Sequence, residues 1–95
     1  MIKIIAKTSV SKENLGAFVA LATPLVTASQ AEEGNVFYHL HQSQSNPEEV
    51  VFIEAWKDQA AIDSHNCSAH FTQTLPKLAE LCSKEMAIEK YDVLI

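Results

Sequence analysis

The stretch EVVFIEAWKDQAAIDSHNCSAHF, Glu49–Phe71, decides the fold because its pattern changes from that of a strand to that of a helix. Its first part, EVVFIEAW, is rich in β-branched and aromatic side chains, which favour a strand. Asp58 then stands at a helix N-cap position, ahead of a short helical segment. The residues SAHFTQTLPKLAELC continue with a second apolar helical face that Pro76 interrupts. The sequence therefore predicts a strand followed closely by two helical segments.

The segments on either side of this stretch complete the fold. NVFYHLHQSQ predicts the preceding strand, and the turn-forming residues SNPE between the two runs predict a β-hairpin. IKIIAKTSV predicts a first strand and EMAIEKYDVLI a last one. Apolar residues recur at helical spacing from the N-cap Ser11 to Gly34, with a kink expected near Pro24. The order β, α, β, β, α, β predicts one α+β domain over residues 1–95, a ferredoxin-like four-stranded antiparallel sheet with helices on one face.

The third strand is apolar on both of its faces, which is unusual for a sheet that helices cover on one side only. The two alternating sets are Val51, Ile53 and Ala55, and Val50, Phe52 and Trp56. The pattern predicts a homodimer in which the open sheet face packs against a second copy. The alternative is a lone domain with an exposed apolar patch.

Composition excludes several partner classes. The net charge is −5 and the seven Lys and Arg residues are scattered, so no basic stripe is present for nucleic acid or an anionic membrane surface. The first apolar run, MIKIIAK, is too short for a signal peptide, and no window approaches the roughly 18 apolar residues of a membrane span. We expect a cytoplasmic protein with a small-molecule partner. Cys67 and Cys82 form no CxxC pair and are predicted to be free thiols.

Two residues of the third strand could carry chemistry. Glu54 and Trp56 share a face, and a carboxylate in an apolar layer requires a hydrogen-bond or charge partner. Trp56 alone is more often a core residue than a ligand platform. The partner of Glu54 is therefore the feature to find in the structure.

Four histidines are further candidates. His65 ends the first short helix and His70 begins the next, so both could point into the space between helices and sheet, where a histidine can act as a general acid or base. The alternative is that they bond backbone groups at the helix ends. His39 and His41 share one face of their strand, opposite the face of Tyr38 and Leu40. No third ligand lies near them in sequence, so no metal is expected. Nucleotide-binding, zinc and nucleophile-elbow motifs are absent, and no cofactor is expected.

The quoted segments together resemble the antibiotic biosynthesis monooxygenase family of small dimeric ferredoxin-like proteins. The matching positions are Glu33-Gly34, Tyr38-x-Leu40, Glu54-x-Trp56 and His65 to His70-Phe71. The resemblance implies a dimeric α/β barrel with a pocket between sheet and helices. It also implies oxygenation of a quinol or polycyclic phenol by molecular oxygen, without a cofactor, because the deprotonated substrate can itself reduce oxygen.

The resemblance also assigns roles by position. His65 would take the substrate proton, with Trp56 and Glu54 as further catalytic residues. The predicted pocket is shaped by Tyr38, His70, Phe71, Phe18, Ala22 and Val26. Haem-degrading relatives carry an asparagine on the first strand, which MIKIIAK lacks.

Two other functions fit the same resemblance. One is isomerisation of a small phosphorylated dione, which would need cationic phosphate ligands, whereas the lysines here are scattered along the chain. The other is a non-catalytic small-molecule binding module.

Overall fold

The computed structural model describes residues 1–95 and has seven regular elements. In chain order they are β1 (Ile2–Ser9), α1 (Lys12–Gln30), β2 (Asn35–Gln42), β3 (Glu49–Trp56), α2 (Gln59–Asn66), α3 (Ala69–Leu81) and β4 (Ala87–Asp92). The strands form one antiparallel sheet in the order β2-β3-β1-β4. This confirms the predicted ferredoxin-like fold.

The helices begin where the capping residues indicate. Asp58 accepts a hydrogen bond from the Ala61 backbone N–H, and Ser68 accepts one from the Phe71 backbone N–H. Each satisfies a donor that a helix N-terminus otherwise leaves free. α1 starts after Ser11 and continues through Pro24.

α1 ends earlier than the sequence predicts. The helix stops at Gln30 instead of near Gly34, and the backbone N–H of Glu32 bonds the Ser29 carbonyl in a closing turn. Gly34 follows, where a Cβ atom would lie 2.2 Å from the Cβ of Ala61 on α2. The turn therefore places Glu32 outside the helix and brings β2 close to α2.

The core lies between the sheet and the helices. On β3 the helix-facing residues are Val50, Phe52, Glu54 and Trp56, all buried. They pack with Phe18, Leu25 and Leu78 from α1 and α3, which are at most 1% exposed. Glu54 is thus a carboxyl group inside an apolar layer, as the strand alternation predicts.

The opposite sheet face is open in the single chain. Val51 and Ile53 are only partly buried there, while Ala55 is covered by its neighbours Lys3 and Phe37, whose side chains form a cation–π contact of 5.7 Å. His39 and His41 lie exposed on this face. Both cysteines are free.

The last strand, β4, pairs with β1 but is exposed along its whole length. The apolar residues Leu94 and Ile95 follow it and are also exposed. No helix in the chain has both the length and the apolar character needed to cross a membrane.

Candidate active site

A cavity of about 210 Å³ lies between the helix-facing side of the sheet and the helices α2 and α3. Ten of its fifteen lining residues are apolar. The five polar ones are Glu54, Gln59, His65, Asn66 and Lys90. Gln59, Asn66 and Lys90 are exposed and mark the mouth, whereas Glu54 and His65 are buried inside. Such a cavity, apolar with a few convergent polar groups, is the usual form of a small-molecule site.

Glu54 finds its partner on its own strand. The indole Nε1–H of Trp56 donates a hydrogen bond of 2.8 Å to Oε1 of Glu54. The other oxygen, Oε2, makes no hydrogen bond. It is not among the fully buried polar atoms, so it is accessible from the cavity. Glu54 therefore presents one free oxygen to any ligand in the cavity.

The surroundings of Glu54 favour its protonated form. Burial raises the pKa of Glu54 to about 7; the hydrogen bond from Trp56 opposes this shift, and the nearby negative charge of Glu32 adds to it. A carboxyl group that titrates near neutrality can both accept and donate a proton at physiological pH. Carboxyl groups with pKa values shifted in this way are concentrated at functional sites.

Tyr38 lies directly opposite Glu54 on β2. Its side chain lines the cavity and is 2% exposed, and burial raises the pKa of its hydroxyl, with the charge of Glu54 adding to the shift. The nearby Ser29 hydroxyl on α1 opposes this shift, and the Tyr38 hydroxyl is not among the buried polar atoms that lack a partner. Tyr38 thus provides a neutral O–H beside the Glu54 carboxyl.

His65 is held by a residue that the sequence did not single out. Its Nδ1 lies 2.6 Å from Oε2 of Glu32, and Nε2 of His70 lies 2.9 Å from the same oxygen. Burial lowers the pKa of His65, while the hydrogen bond and charge of Glu32 oppose that shift. The ring is 2% exposed and fixed in position by this cluster.

The other nitrogen of His65, Nε2, is not accessible to solvent or to a ligand. Nε2 is buried and has no hydrogen-bond partner. The rings of Trp56, Phe71 and Tyr38 surround the imidazole, with centroids at 4.6, 4.8 and 5.4 Å. His65 lines the cavity with its ring, but Nε2 has no open surface in this structure.

The structure brings together four of the predicted site residues at the cavity, namely Tyr38, Glu54, His65 and Phe71. Trp56 and His70 stand one layer behind them, Trp56 against Glu54 and His65, and His70 against Glu32. Trp56, which the resemblance assigns as a further catalytic residue, does not line the cavity. The indole is fully buried in the core, and its Nε1–H bonds Glu54.

The residues predicted from α1 do not line this cavity. Phe18 packs in the core against Phe52, with ring centroids 6.3 Å apart, and Ala22 and Val26 face a different cleft of about 340 Å³ between α1 and β2. α1 reaches the cavity only with Leu25. The reason is the position of the cavity toward β1 and β4, whereas most of α1 lies over β2. The α1–β2 cleft is larger, but no acidic residue lines it.

Sequence reasoning did not single out Glu32 or Gln59, and it considered Lys90 only as one of several scattered lysines. Lys90 donates a hydrogen bond of 2.6 Å to Oε1 of Gln59 across the mouth. Glu32 could not be distinguished from Glu33 by pattern, because both were assigned to the end of a helix. Only the earlier helix end turns Glu32 inward to the two histidines.

Comparisons with known proteins agree with this arrangement. A sequence profile described as antibiotic biosynthesis monooxygenase matches residues 1–77. YcnE of Bacillus subtilis (strain 168), a candidate monooxygenase by name, is 36% identical over 93 residues, which are 98% of each chain.

Solved structures give the same result. A conserved protein from Methanosarcina mazei Go1 superposes with a TM-score of 0.92 at 36% identity, covering 95% of this chain and 89% of that one. A crystal structure of an antibiotic biosynthesis monooxygenase has a TM-score of 0.92 at 29% identity, with full coverage of both chains. The profile match, the sequence identity and the shared fold together show that this chain belongs to the antibiotic biosynthesis monooxygenase family.

Proposed function

We propose that the protein is a cofactor-independent monooxygenase that acts on a quinol or polycyclic phenol with molecular oxygen. Membership of the antibiotic biosynthesis monooxygenase family supports the reaction class. The single observation that carries the proposal is the Glu54 carboxyl group, buried in an apolar cavity with a pKa of about 7 and one oxygen open to a ligand.

In this reaction Glu54 acts as the proton acceptor. Its Oε2 takes the proton of the substrate hydroxyl, and a base with a pKa near the working pH is best placed for this transfer. The resulting anion gives an electron to oxygen, and the two radicals combine at carbon to form a peroxide. Loss of water from the peroxide leaves a carbonyl, so one oxygen atom stays in the product and the other leaves as water. The substrate supplies all four electrons that reduce oxygen. It therefore replaces the cofactor that usually reacts with oxygen.

The neighbouring groups fit this role. The Tyr38 hydroxyl, opposite Glu54, can donate a hydrogen bond to a second substrate oxygen. The largely apolar lining suits an aromatic ring system. Because the volume of about 210 Å³ is below the roughly 300–1,000 Å³ of typical ligand pockets, a compact bicyclic quinol is the first substrate class to test.

The resemblance predicts that His65 takes the substrate proton, but its surroundings favour a supporting role. Nε2 of His65 is buried and its Nδ1 lies against Glu32, so Glu54 is the base that offers an open atom to a ligand in the cavity. We therefore assign proton transfer to Glu54 and propose that His65 supports the back of the site, packed against Trp56 and held by Glu32.

We also propose that the protein works as a homodimer joined through the open sheet faces. Val51 and Ile53 remain partly exposed there, and burial of apolar sheet surface favours association. The dimer would leave the cavity accessible, because it lies on the helix-facing side of the sheet.

The test is oxygen consumption by purified, metal-stripped protein with a reduced naphthoquinol, followed by mass analysis of product formed under ¹⁸O₂. We expect uptake above boiled protein and incorporation of one labelled atom. Glu54→Gln should lower the enzyme-dependent rate at least 100-fold, in line with the usual contribution of a general base. Glu80→Gln, on the exposed face of α3, is the matched control and should keep the wild-type rate.

Equal rates for Glu54→Gln and wild type would overturn the assignment of the base. A comparison with His65→Ala, after its folding has been checked, then tests the original prediction for that histidine. Absence of labelled oxygen in the product would overturn the monooxygenase itself.

The isomerase alternative has one structural argument, since Lys90 at the mouth is a cation beside the cavity. A single ammonium group is weak support for a phosphate site. Turnover of a phosphorylated dione without oxygen would favour this alternative. Ligand-dependent stabilisation without any turnover would favour a binding module.

A further inference from the structure

Three potential metal ligands converge behind the cavity. Glu32 comes from the turn after α1, His65 from the end of α2 and His70 from the first turn of α3. Oε2 of Glu32, Nδ1 of His65 and Nε2 of His70 all lie within 4.8 Å of one another. No sequence motif indicates this cluster, because the three residues are brought together only by the packing of three separate elements.

The hydrogen bonds of His65 leave one of its two ring nitrogens without a partner. A neutral imidazole carries one N–H and one lone pair. If Nδ1 carries the hydrogen and donates to Glu32, the lone pair of Nε2 is buried without a donor, among three aromatic rings. A buried acceptor that lacks a donor destabilises the folded state, because it has lost its hydrogen bonds to water. In this tautomer Nδ1 has a hydrogen-bond partner and Nε2 has none.

The opposite tautomer suits the aromatic surroundings. An N–H at Nε2 can make weak N–H···π contacts with the rings of Trp56 and Phe71, whose centroids lie 4.6 and 4.8 Å from that of His65. The lone pair is then on Nδ1, 2.6 Å from a carboxylate oxygen of Glu32. Two acceptors at this distance repel each other unless they share a proton or bind a common metal cation.

We propose that this cation is a divalent first-row transition-metal ion, bound by Glu32, His65 and His70. Two imidazole nitrogens and one carboxylate oxygen are a donor set suited to zinc, cobalt and nickel. A solvent molecule would complete the coordination. In this assignment Nε2 of His65 carries the hydrogen and points into the ring cluster.

The donor atoms lie near metal-ligand spacing. Ligand bonds of about 2.0–2.2 Å in a tetrahedral site place neighbouring donor atoms about 3.3–3.6 Å apart. The two distances to Glu32 are 2.6 and 2.9 Å, and no pair of the three atoms is more than 4.8 Å apart, so an ion requires side-chain shifts of up to about 1 Å. The side chains of Glu32 and His70 are 16% and 26% exposed, which gives an ion a path from solvent.

The ion would tie three elements together at the back of the cavity. It would be bound through Nδ1, on the Glu32 side of His65, whereas Glu54 is approached from the cavity. The metal site therefore does not rest on the proposed oxygenation. Either proposal can fail while the other stands.

The experiment is calorimetric titration of chelator-treated protein with Zn²⁺, supported by the visible absorption of bound Co²⁺. We expect one ion per chain and a rise in Tm, because an ion that binds only the folded state stabilises it. His70→Gln should weaken Zn²⁺ binding at least tenfold, since even an outer-shell change costs 10–100-fold in metal affinity. His70 is partly exposed, so this variant is expected to fold.

The matched control is the double variant His39→Gln/His41→Gln, which removes the exposed HxH pair on the open sheet face. It should bind Zn²⁺ as tightly as wild type. The proposal is overturned by absence of Zn²⁺ uptake, by equal affinity in His70→Gln, or by loss of binding in the HxH variant. Glu32→Gln gives a second readout: Zn²⁺ should raise the Tm of wild type but leave that of Glu32→Gln unchanged.

Discussion

The indole Nε1–H of Trp56 donates a 2.8 Å hydrogen bond to the Glu54 carboxyl group two residues earlier on the same strand. The pair exists because residues i and i+2 of a strand share a face. It links a fully buried ring to the ionisable group of the cavity. The E-x-W spacing of the sequence is therefore the spacing of a donor and its acceptor.

Removal of this donor should change the titration of Glu54. The hydrogen bond lowers the pKa of Glu54 against the effect of burial, so Trp56→Phe is expected to raise that pKa further above 7, by about one unit. Carboxyl ¹³C NMR measures it directly. Phe18→Leu, a core substitution without contact to Glu54, controls for general loosening and should leave the value unchanged. A lower pKa in Trp56→Phe would show that water entry outweighs the lost hydrogen bond.

Activity should depend on pH through the same group. Proton abstraction needs the carboxylate form of Glu54, so kcat/KM is expected to rise with pH and level off above about 7. The titratable groups that surround Glu54 are Tyr38, Glu32, His65 and Lys90. A profile that is flat from pH 5 to pH 8 would contradict the role of Glu54.

Stability should show the opposite trend. The pKa of Glu54 rises from its ordinary 4.5 to about 7 on folding, so the folded state binds more protons between these values. Stability is then lost as pH rises through this window, by about 3 kcal/mol. Glu54→Gln removes the ionisation and should be more stable than wild type at pH 8, but not at pH 4.5. Urea denaturation at both pH values tests this difference, and a constant difference between the two proteins would refute it.

The two glycines should respond in opposite directions to alanine. At Gly34 the new Cβ would lie 2.2 Å from the Ala61 side chain, so Gly34→Ala should cost about 1–3 kcal/mol in the free energy of unfolding. Gly16 is exposed on α1, with no atom within 4 Å of a Cβ. Gly16→Ala should stabilise the protein by up to about 1 kcal/mol because alanine favours the helix. Chemical denaturation of both variants checks the pair, and equal effects would be inconsistent with the close approach of β2 and α2.

The proposed dimer can be tested at the open sheet face. Ile53 lies on the central strand β3, between Ile5 on β1 and His39 on β2. Ile53→Glu would bury a charge in each half of the interface and should convert the dimer to a monomer in analytical ultracentrifugation. Ala20→Glu, exposed on α1, should keep the wild-type mass. A wild-type protein that sediments as a monomer would refute the dimer.

The sequence by itself determined the fold and the placement of Glu54 in the buried layer that lines the cavity. Hydrophobic alternation located the strands, Asp58 marked the start of α2, and the parity of β3 placed Glu54 and Trp56 together on the buried face. These features depend on local spacing, and local spacing can be read directly from a chain.

Only the tertiary structure decided how the site is built. The helix α1 ends at Gln30, and this small difference from the predicted end turns Glu32 toward His65 and His70. The placement of α1 over β2 also excludes Phe18, Ala22 and Val26 from the cavity, where Leu25 lies instead. Contacts between residues more than thirty positions apart depend on the way helices pack on the sheet, and periodicity within each helix does not specify that packing.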